Sequence, residues 1–317
     1  MKVIEIIKET KKPLFTFELI PPLKGYTIDG IFDSAKTLMK YSPSYINITN
    51  HQNEVVYQEN EDGSIVRKTV RKRPGTIGIA AALQYKFGIP TVPHLICGGL
   101  SDLEIENMLV DLNFLQIENV FALRGDPPVG ERKFIACKDG YLHSSQMVEQ
   151  IKNMNEGKYL DSTLKNPVKT NFCIGVAGYP EKHLESPNME SDIANLKKKQ
   201  DAGAEYIVTQ LFYSNDAYFN FVDRCRDAGI TIPIIPGIKP LRTKRQLTMV
   251  PTTFAVDIPF ELSDKVNHAK DKNEINEIGV WWATKQVKEL IDRGVPGVHF
   301  YTIGSVKSVS KIVENCY

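Results

Sequence analysis

The sequence predicts a single (β/α)8 barrel, a TIM barrel, that spans residues 1–317 as one domain. Short apolar runs that are typical of buried parallel strands recur along the chain, and helical spacing follows them. No composition break or linker divides the chain. The Gly-x-Gly-x-x-Gly signature of doubly wound nucleotide-binding sheets and the phosphate-loop signature are both absent.

The predicted strands are largely apolar, and glycine, proline or polar residues follow them. They cover residues 14–20, 45–49, 91–97, 120–123, 170–177, 205–212, 232–238 and 298–303. The predicted helices cover residues 31–39, 77–87, 101–115, 144–154, 191–202, 215–228 and 306–313, with two or three more between 241 and 293.

The balance of charge argues against a nucleic-acid or membrane-surface partner, because 39 basic residues face 38 acidic ones. Residues 67–73 form a basic cluster, but without interleaved aromatic residues a solvated loop or helix face is favoured over a nucleic-acid patch. The five scattered cysteines contain no Cys-x-x-Cys, so we expect neither a disulfide framework nor a metal site. No membrane-length apolar run or signal-peptide core is present, which indicates a cytoplasmic protein.

Polar residues occur where several predicted strands stop. Arg124 and Asp126 flank Gly125 at the end of one strand, where they form either a local ion pair or part of a functional site. Glu18, Thr49, Tyr179 and Gln210 occupy comparable positions on other strands. Because the carboxyl ends of barrel strands meet at one mouth, we expect these side chains to converge there.

Two further features have both a structural and a functional interpretation. His94 lies inside an apolar strand, where a lone histidine is more often a satisfied core residue than a ligand contact. Asp192, Asn195 and Lys199 share one face of the helix after the fifth strand. That face is either an ordinary wet surface or a polar strip beside a ligand near the helix N-terminus.

Eight motifs carry a resemblance to a known family, and they occur in order over residues 15–302. They read Phe-Thr-Phe-Glu-Leu-Ile-Pro-Pro, Pro-His-Leu, Ala-Leu-Arg-Gly-Asp, Gly-Tyr-Pro-Glu-Lys-His, Leu-Lys-Lys-Lys-Gln-Asp-Ala-Gly-Ala, Thr-Gln-Leu-Phe-Tyr, Ile-Ile-Pro-Gly-Ile and His-Phe-Tyr-Thr. In this order they resemble the methylenetetrahydrofolate reductases. The resemblance implies a flavin-containing barrel that reduces 5,10-methylenetetrahydrofolate to 5-methyltetrahydrofolate with NADH or NADPH and so supplies methyl groups for methionine synthesis.

The resemblance gives Glu18 and Asp126 catalytic roles. Glu18 matches the general acid that protonates the departing nitrogen of the substrate, and its apolar strand neighbours supply desolvation that favours a protonated carboxyl group. Asp126 matches an aspartate beside the flavin, where a negative charge lowers the flavin potential and stabilises a substrate cation. Thr49, Gln210 and Gln246 match substrate-binding positions.

The resemblance also implies a set of residues that bind FAD non-covalently. They are His94, Arg124, Gly125, Asp126, Ser144, Tyr179, His183, Asp192, Asn195, Lys198 and Lys199. In this set the two lysines suit a pyrophosphate, and Asp192 suits a ribose hydroxyl.

This sequence departs from the family pattern after His-Phe-Tyr-Thr. Ser305 stands where the family has an arginine that contacts folate, and Lys307 is a candidate replacement. Two alternatives therefore stay open: a phosphate-binding barrel lyase without flavin, and a non-catalytic folate-binding homologue. Barrels of this kind often self-associate, so we expect a homo-oligomer.

Overall fold

The computed structural model describes residues 1–128, 131 and 133–317, and it contains ten strands in that part of the chain. They are β1 (Leu14–Leu19), β2 (Tyr45–Ile48), β3 (Glu54–Glu59), β4 (Ile65–Val70), β5 (Thr91–Ile96), β6 (Asn119–Leu123), β7 (Cys173–Gly178), β8 (Tyr206–Leu211), β9 (Ile234–Ile238) and β10 (Gly297–Tyr301). Eight of them close into a barrel in the order β1-β10-β9-β8-β7-β6-β5-β2, and every pairing is parallel. The predicted (β/α)8 barrel is confirmed.

The helices of the described chain lie between these strands or flank them. They are α1 (Val3–Glu9), α2 (Asp29–Met39), α3 (Ile77–Phe87), α4 (Asp102–Phe114), α5 (Ser144–Asn155), α6 (Met189–Asp201), α7 (Asn215–Asp227), α8 (Gln246–Phe254), α9 (Phe260–His268), α10 (Lys272–Asp292) and α11 (Val306–Cys316). The segment after β9 contains three helices, the upper of the two numbers predicted. Ser101 caps α4, because its hydroxyl accepts a hydrogen bond from the N–H of Glu104 at 3.2 Å.

Residues 52–73 correct the prediction of a solvated loop or helix face. They form an antiparallel hairpin of β3 and β4, in which Tyr57 pairs with Arg67 and Glu54 with Val70. Most of β4 is exposed. Two residues of the basic cluster, Arg67 and Lys68, therefore lie on exposed β4. The other three follow the strand, and two of them, Lys72 and Arg73, line the pocket at the mouth of the barrel.

The floor of the barrel, at the N-terminal ends of the strands, is apolar and is covered by α1, a helix that the sequence reasoning missed. The N–H of Val3 donates to the Oδ1 atom of Asn119 at 2.8 Å, which attaches α1 to the start of β6. One buried cluster joins the helix to the barrel interior. Its members are Val3, Ile6, Leu14, Tyr45, Val92, Phe121, Cys173, Tyr206, Val208 and Ile235. This cluster closes the floor and leaves the other end of the barrel to form the site.

A second apolar layer lies between the outer faces of the strands and the surrounding helices. Leu38 of α2, Leu83 of α3 and Leu109 of α4 are fully buried in it. All five cysteines are free. In the described part of the chain, no helix is both long enough and apolar enough to cross a membrane.

Candidate active site

A pocket of about 730 Å³ opens at the C-terminal ends of the barrel strands, and that volume is in the range of cofactor and ligand sites. The structure brings fourteen of the fifteen predicted site residues to its wall. They are Glu18, Thr49, His94, Arg124, Gly125, Asp126, Ser144, Tyr179, His183, Asp192, Asn195, Lys198, Lys199 and Gln210. The expected convergence of strand ends on one mouth is confirmed.

Gln246 is the exception, since it is not part of the pocket wall. Its Oε1 atom accepts hydrogen bonds from the N–H groups of Arg242 and Thr243, at 2.7 and 3.1 Å. The amide oxygen thus holds the turn that precedes α8. Gln246 is the first residue of α8, and its role as a substrate contact stays a prediction.

Glu18 lies near the end of β1 and is only 5 % exposed. The Nε2 atom of His299 is 3.8 Å from its Oε2 atom, and the Nδ1 atom of the same ring is 2.9 Å from the hydroxyl of Thr16. His299 itself is 1 % exposed. A carboxyl group in this position meets the pocket on one side and a buried imidazole on the other, which suits a group that exchanges a proton with a bound ligand.

His51 lies within electrostatic reach of both predicted catalytic carboxylates. Burial lowers its pKa, nearby Arg73 lowers it further, and the charges of Glu18 and Asp126 oppose that shift. Both carboxylates belong to the wall of one pocket. Their strands, β1 and β6, are separated in the barrel by β2 and β5.

Arg124 and Asp126 do not form the local ion pair that the sequence left open. Arg124 instead contacts Glu185, with Nη1 and Oε2 2.5 Å apart, and its guanidinium lies 4.9 Å from the centre of the Phe134 ring. Gly125 has φ +84°, a conformation that favours glycine and turns the chain at the end of β6. Asp126 has no ion-pair partner within 4.0 Å in the described part of the chain, so its exposed carboxylate faces the pocket.

Lys199, on α6, is the most buried cation of the pocket. Its ammonium donates to the carbonyl of Ala177 at 2.9 Å and lies 6.0 Å from the centre of the Tyr179 ring. Burial lowers its pKa to about 8, although the nearby charge of Asp192 opposes this effect. An anionic ligand beside Lys199 would relieve the cost of holding this charge away from water.

Asp192 makes hydrogen bonds to the loop that precedes α6, which the sequence did not predict. Its Oδ2 atom accepts the N–H of His183 at 3.1 Å, and its Oδ1 atom accepts the hydroxyl of Ser186 at 2.8 Å. The His183 ring packs edge-on against Tyr179, with ring centres 4.7 Å apart. The carboxylate therefore fixes the loop between β7 and α6, and its remaining lone pairs stay available to a ligand hydroxyl.

His94 is not the satisfied core residue that its sequence context favours. Its Nε2 atom is buried without a hydrogen-bond partner, and its ring centre lies 4.8 Å from that of Phe121. Burial lowers its pKa to about 4, so the imidazole is neutral at pH 7. The Oδ1 atom of Asn47, also in the pocket wall, is likewise buried without a partner. Such orphaned polar atoms indicate a binding site for a polar ligand.

Sequence reasoning missed other residues of the wall, among them Lys239, His299 and Tyr301. Lys239 directly follows β9, so the rule that identified Glu18 and Gln210 could have found it. Burial lowers its pKa, and the charge of Glu18 opposes that shift. His299 and Tyr301 lie within β10, where alternation alone does not show which side chains point into the barrel.

Fold and pocket together define a class: a (β/α)8 barrel with a polar ligand site at the C-terminal ends of its strands and a buried carboxyl group beside that site. Comparison with known proteins makes this more specific. The family model for methylenetetrahydrofolate reductase matches residues 2–317. The chain therefore belongs to the methylenetetrahydrofolate reductase family.

Relatives in several kingdoms match nearly the whole chain. Methylenetetrahydrofolate reductase (NADH) 1 of Arabidopsis thaliana is 33% identical over 328 residues, which cover 99% of this chain and 50% of that protein. The 5,10-methylenetetrahydrofolate reductase of Escherichia coli (strain K12) is 29% identical over 289 residues, which cover 91% of this chain and 85% of that protein. The chain thus spans about half the length of the plant relative and most of the bacterial one.

A solved structure shares the fold. It is a Clostridium thermocellum protein described as binding two copies of 5-methyl-5,6,7,8-tetrahydrofolic acid, with a TM-score of 0.57 and 13% sequence identity. The alignment covers 98% of this chain and 96% of that chain. At this identity the similarity concerns the barrel alone.

Proposed function

We propose that this protein reduces 5,10-methylenetetrahydrofolate to 5-methyltetrahydrofolate, with NADH or NADPH as the electron source and non-covalently bound FAD as the cofactor. Family membership supports the reaction class. The observation that carries the proposal is the buried carboxyl group of Glu18 in the wall of a pocket. The same wall contains Asp126 and two lysines of α6, Lys198 and Lys199. The product would supply methyl groups for methionine synthesis.

The residues of the pocket fit a dinucleotide cofactor. Lys198 and Lys199 provide positive charge for a pyrophosphate, and the unpartnered Nε2 atom of His94 provides a polar contact for a ring. Tyr179 and His183 form an aromatic wall next to the lysines. A flavin held by these residues would supply two-electron chemistry, relaying a hydride from the nicotinamide to the methylene carbon of folate.

In this proposal Glu18 donates the proton that opens the imidazolidine ring of the folate. A protonated carboxyl group protonates the ring nitrogen of the folate imidazolidine, the bond from that nitrogen to the methylene carbon breaks, and a cationic iminium results. Glu18 is buried, and the one ion-pair contact of its carboxyl group within 4.0 Å in the described chain is the imidazole of His299, so no lysine or arginine stands between this carboxyl group and a ligand in the pocket.

Asp126 and Gln210 position and stabilise the substrate. The free carboxylate of Asp126 offsets the developing positive charge of the opened folate ring. Gln210 follows a buried segment of β8, and its Oε1 atom already accepts the N–H of Leu211 at 2.9 Å. That contact leaves the amide NH2 group free to donate to a pterin or nicotinamide carbonyl.

Two half-reactions test the proposal. The purified protein is mixed rapidly with NADH or with NADPH, flavin absorbance is followed, and the reduced protein is then mixed with methylenetetrahydrofolate. We expect reduction by at least one nicotinamide and reoxidation by the folate. Protein that binds no flavin would instead favour the phosphate-binding lyase, and folate binding without reoxidation would favour the non-catalytic homologue.

A further inference from the structure

A second cavity, of about 1040 Å³, lies beside the candidate active site at the C-terminal ends of β1 and β10. Its wall comes from the segment after β1, the first turns of α2 and α10, and the segment from Thr302 to Lys311. None of the fourteen site residues lines it. It is therefore distinct from the proposed flavin and folate pocket.

The charged side chains of this second cavity are mostly basic. Arg73, Arg242, Lys307 and Lys311 line it, and Glu277 is the acidic residue of the wall. Neither Arg242 nor Lys307 has an ion-pair partner within 4.0 Å in the described part of the chain. Unpaired cations around a concave surface attract anions, because the low-dielectric walls focus their field.

The N-terminus of α11 adds to this positive potential. First-turn residues of α2, α10 and α11 all belong to the cavity wall, but Asp29 lies in the first turn of α2, and the side chain of Asp271 already accepts the first N–H groups of α10. In α11 no acidic residue occupies the first turn, and no side chain caps the helix. The hydroxyl of Ser305 donates to the carbonyl of Tyr301 at 3.1 Å, which leaves the first N–H groups of α11 available to a ligand.

Two polar side chains of the wall have an oxygen atom that makes no hydrogen bond in the described part of the chain. Ser308 is 8 % exposed and lines the cavity, and its hydroxyl makes no hydrogen bond in the described part of the chain. The Oδ1 atom of Asn276, on the α10 side, is buried without a partner. The hydroxyl of Ser308 can donate a hydrogen bond to a bound oxyanion, whereas the Asn276 oxygen is an acceptor and suits a donor group attached to the anion.

Gly304 allows a close approach of Arg242. Its φ is +65°, and a Cβ atom at this position would lie 2.5 Å from the Nη1 atom of Arg242. Arg242 in turn lowers the pKa of Lys239 in the neighbouring pocket, although burial is the larger cause. Ile303 and Arg73 line both cavities, so the two sites share a wall.

We propose that this second cavity is an oxyanion site for carboxylate or phosphate groups, held by Arg242, Lys307, the hydroxyl of Ser308 and the N-terminus of α11. Two sources fit the chemistry. One is a free small anion, and the other is the carboxylate-bearing glutamyl end of a folate bound in the first pocket. The second source rests on the proposed function, whereas the site itself does not.

The test measures binding without folate. Inorganic pyrophosphate and a γ-linked triglutamate peptide are titrated into the flavin-loaded protein at low ionic strength by calorimetry. We expect saturable binding of at least one probe, weakened about tenfold or more in the double variant Arg242→Gln, Lys307→Gln, and weakened also by salt. The matched control is Lys11→Gln, Lys12→Gln, which removes the same charge from exposed residues at the start of β1.

The outcomes separate the site from the proposed function. Absence of binding by both probes, or equal binding by the double variant and the wild type, would overturn the oxyanion site even if folate reduction proceeds. Lys307→Gln alone, at an exposed residue, keeps the test valid if the double variant folds poorly. If triglutamyl substrate has a lower KM than monoglutamyl substrate, and Lys307→Gln abolishes that difference, the anion bound at this site is the glutamyl tail of the substrate. Equal KM values assign it to a free anion.

Discussion

The two ends of the barrel use the same strands for opposite purposes. At the floor, Leu14 of β1 and Tyr206 of β8 pack under α1 in an apolar cluster. At the mouth, a few residues further along the same strands, Glu18 and Gln210 line a polar pocket. The difference teaches that apolar packing fills one end of the barrel interior, which leaves the other end free to keep buried polar groups without partners.

The largest expected effect is a loss of folate reduction when Glu18, at the mouth of the barrel, is substituted. Glu18→Gln keeps the shape of the side chain but removes its acidic proton, so we expect folate reduction to slow by about 10²- to 10⁴-fold. Flavin reduction by the nicotinamide should persist. Rapid-mixing measurement of each half-reaction checks this, and Glu190→Gln, at an exposed pair with Arg224, is the control. A folate half-reaction of normal rate would remove Glu18 from the role of acid.

A substitution in the barrel interior should act on stability instead. A Cβ atom on Gly175 would lie 2.3 Å from the Cζ atom of Tyr206 and 2.6 Å from the Cδ2 atom of Phe121. Gly175→Ala should therefore lower the free energy of unfolding by about 1–3 kcal/mol, measured by urea denaturation. In Gly78→Ala, a change on α3 where no atom lies within 4 Å, stability should hold or rise. Equal effects of the two changes would contradict the close packing.

An intermediate effect concerns the pH dependence of cofactor binding. Burial lowers the pKa of Lys199 to about 8, so the ammonium loses its proton as the pH rises through that value. FAD affinity, measured by fluorescence titration, should fall between pH 7 and pH 9. Lys199→Met should bind FAD more weakly at pH 7 and lose most of this dependence. Lys197→Met, at a residue paired with Asp201, should behave as the wild type. An unchanged pH profile in Lys199→Met would refute the role.

The smallest expected effect is a change in how stability depends on pH when Glu181, a partly buried residue in the loop after β7, is substituted. Burial raises the pKa of Glu181 to about 7, although the N–H of Asp257 donates to its carboxylate at 2.6 Å. The folded protein then holds a proton that the unfolded chain has released above about pH 4.5, so this residue lowers stability as the pH rises towards 7. Glu181→Gln should abolish that part of the decline. Urea denaturation at pH 5 and pH 8 measures it, and identical profiles would exclude it.

The fold could be predicted because buried parallel strands are near-continuous apolar runs that end abruptly. Residues 120–123, followed by Arg124 and two prolines, show both signals at once. The hairpin of residues 54–70 was not predicted because its strands are largely exposed and mix apolar and polar residues without regular alternation, so no pattern distinguishes them from a loop. Helix α1 escaped because it is only seven residues long, and it is stabilised by contacts with the floor rather than by its own propensity.

Most of the site could be predicted because family motifs fall at strand ends, where geometry brings them together. The partners of those residues were not readable from sequence. Arg124 contacts Glu185, a residue 61 positions away, rather than Asp126 two positions along. Asp192 holds a loop that begins nine residues before it. Such pairings depend on how loops cross above the barrel, and one-dimensional spacing carries no information about them.

The covering of the floor by α1 has a kinetic consequence. In the described part of the chain, the pocket opens to solvent at the mouth, while the far end of the barrel is filled. Under the proposed reaction, the nicotinamide and the folate enter by the same opening and both contact Gln210, so the oxidised nicotinamide must depart before the folate binds. Double-reciprocal plots of steady-state rates at several fixed concentrations of either reactant should then be parallel rather than intersecting.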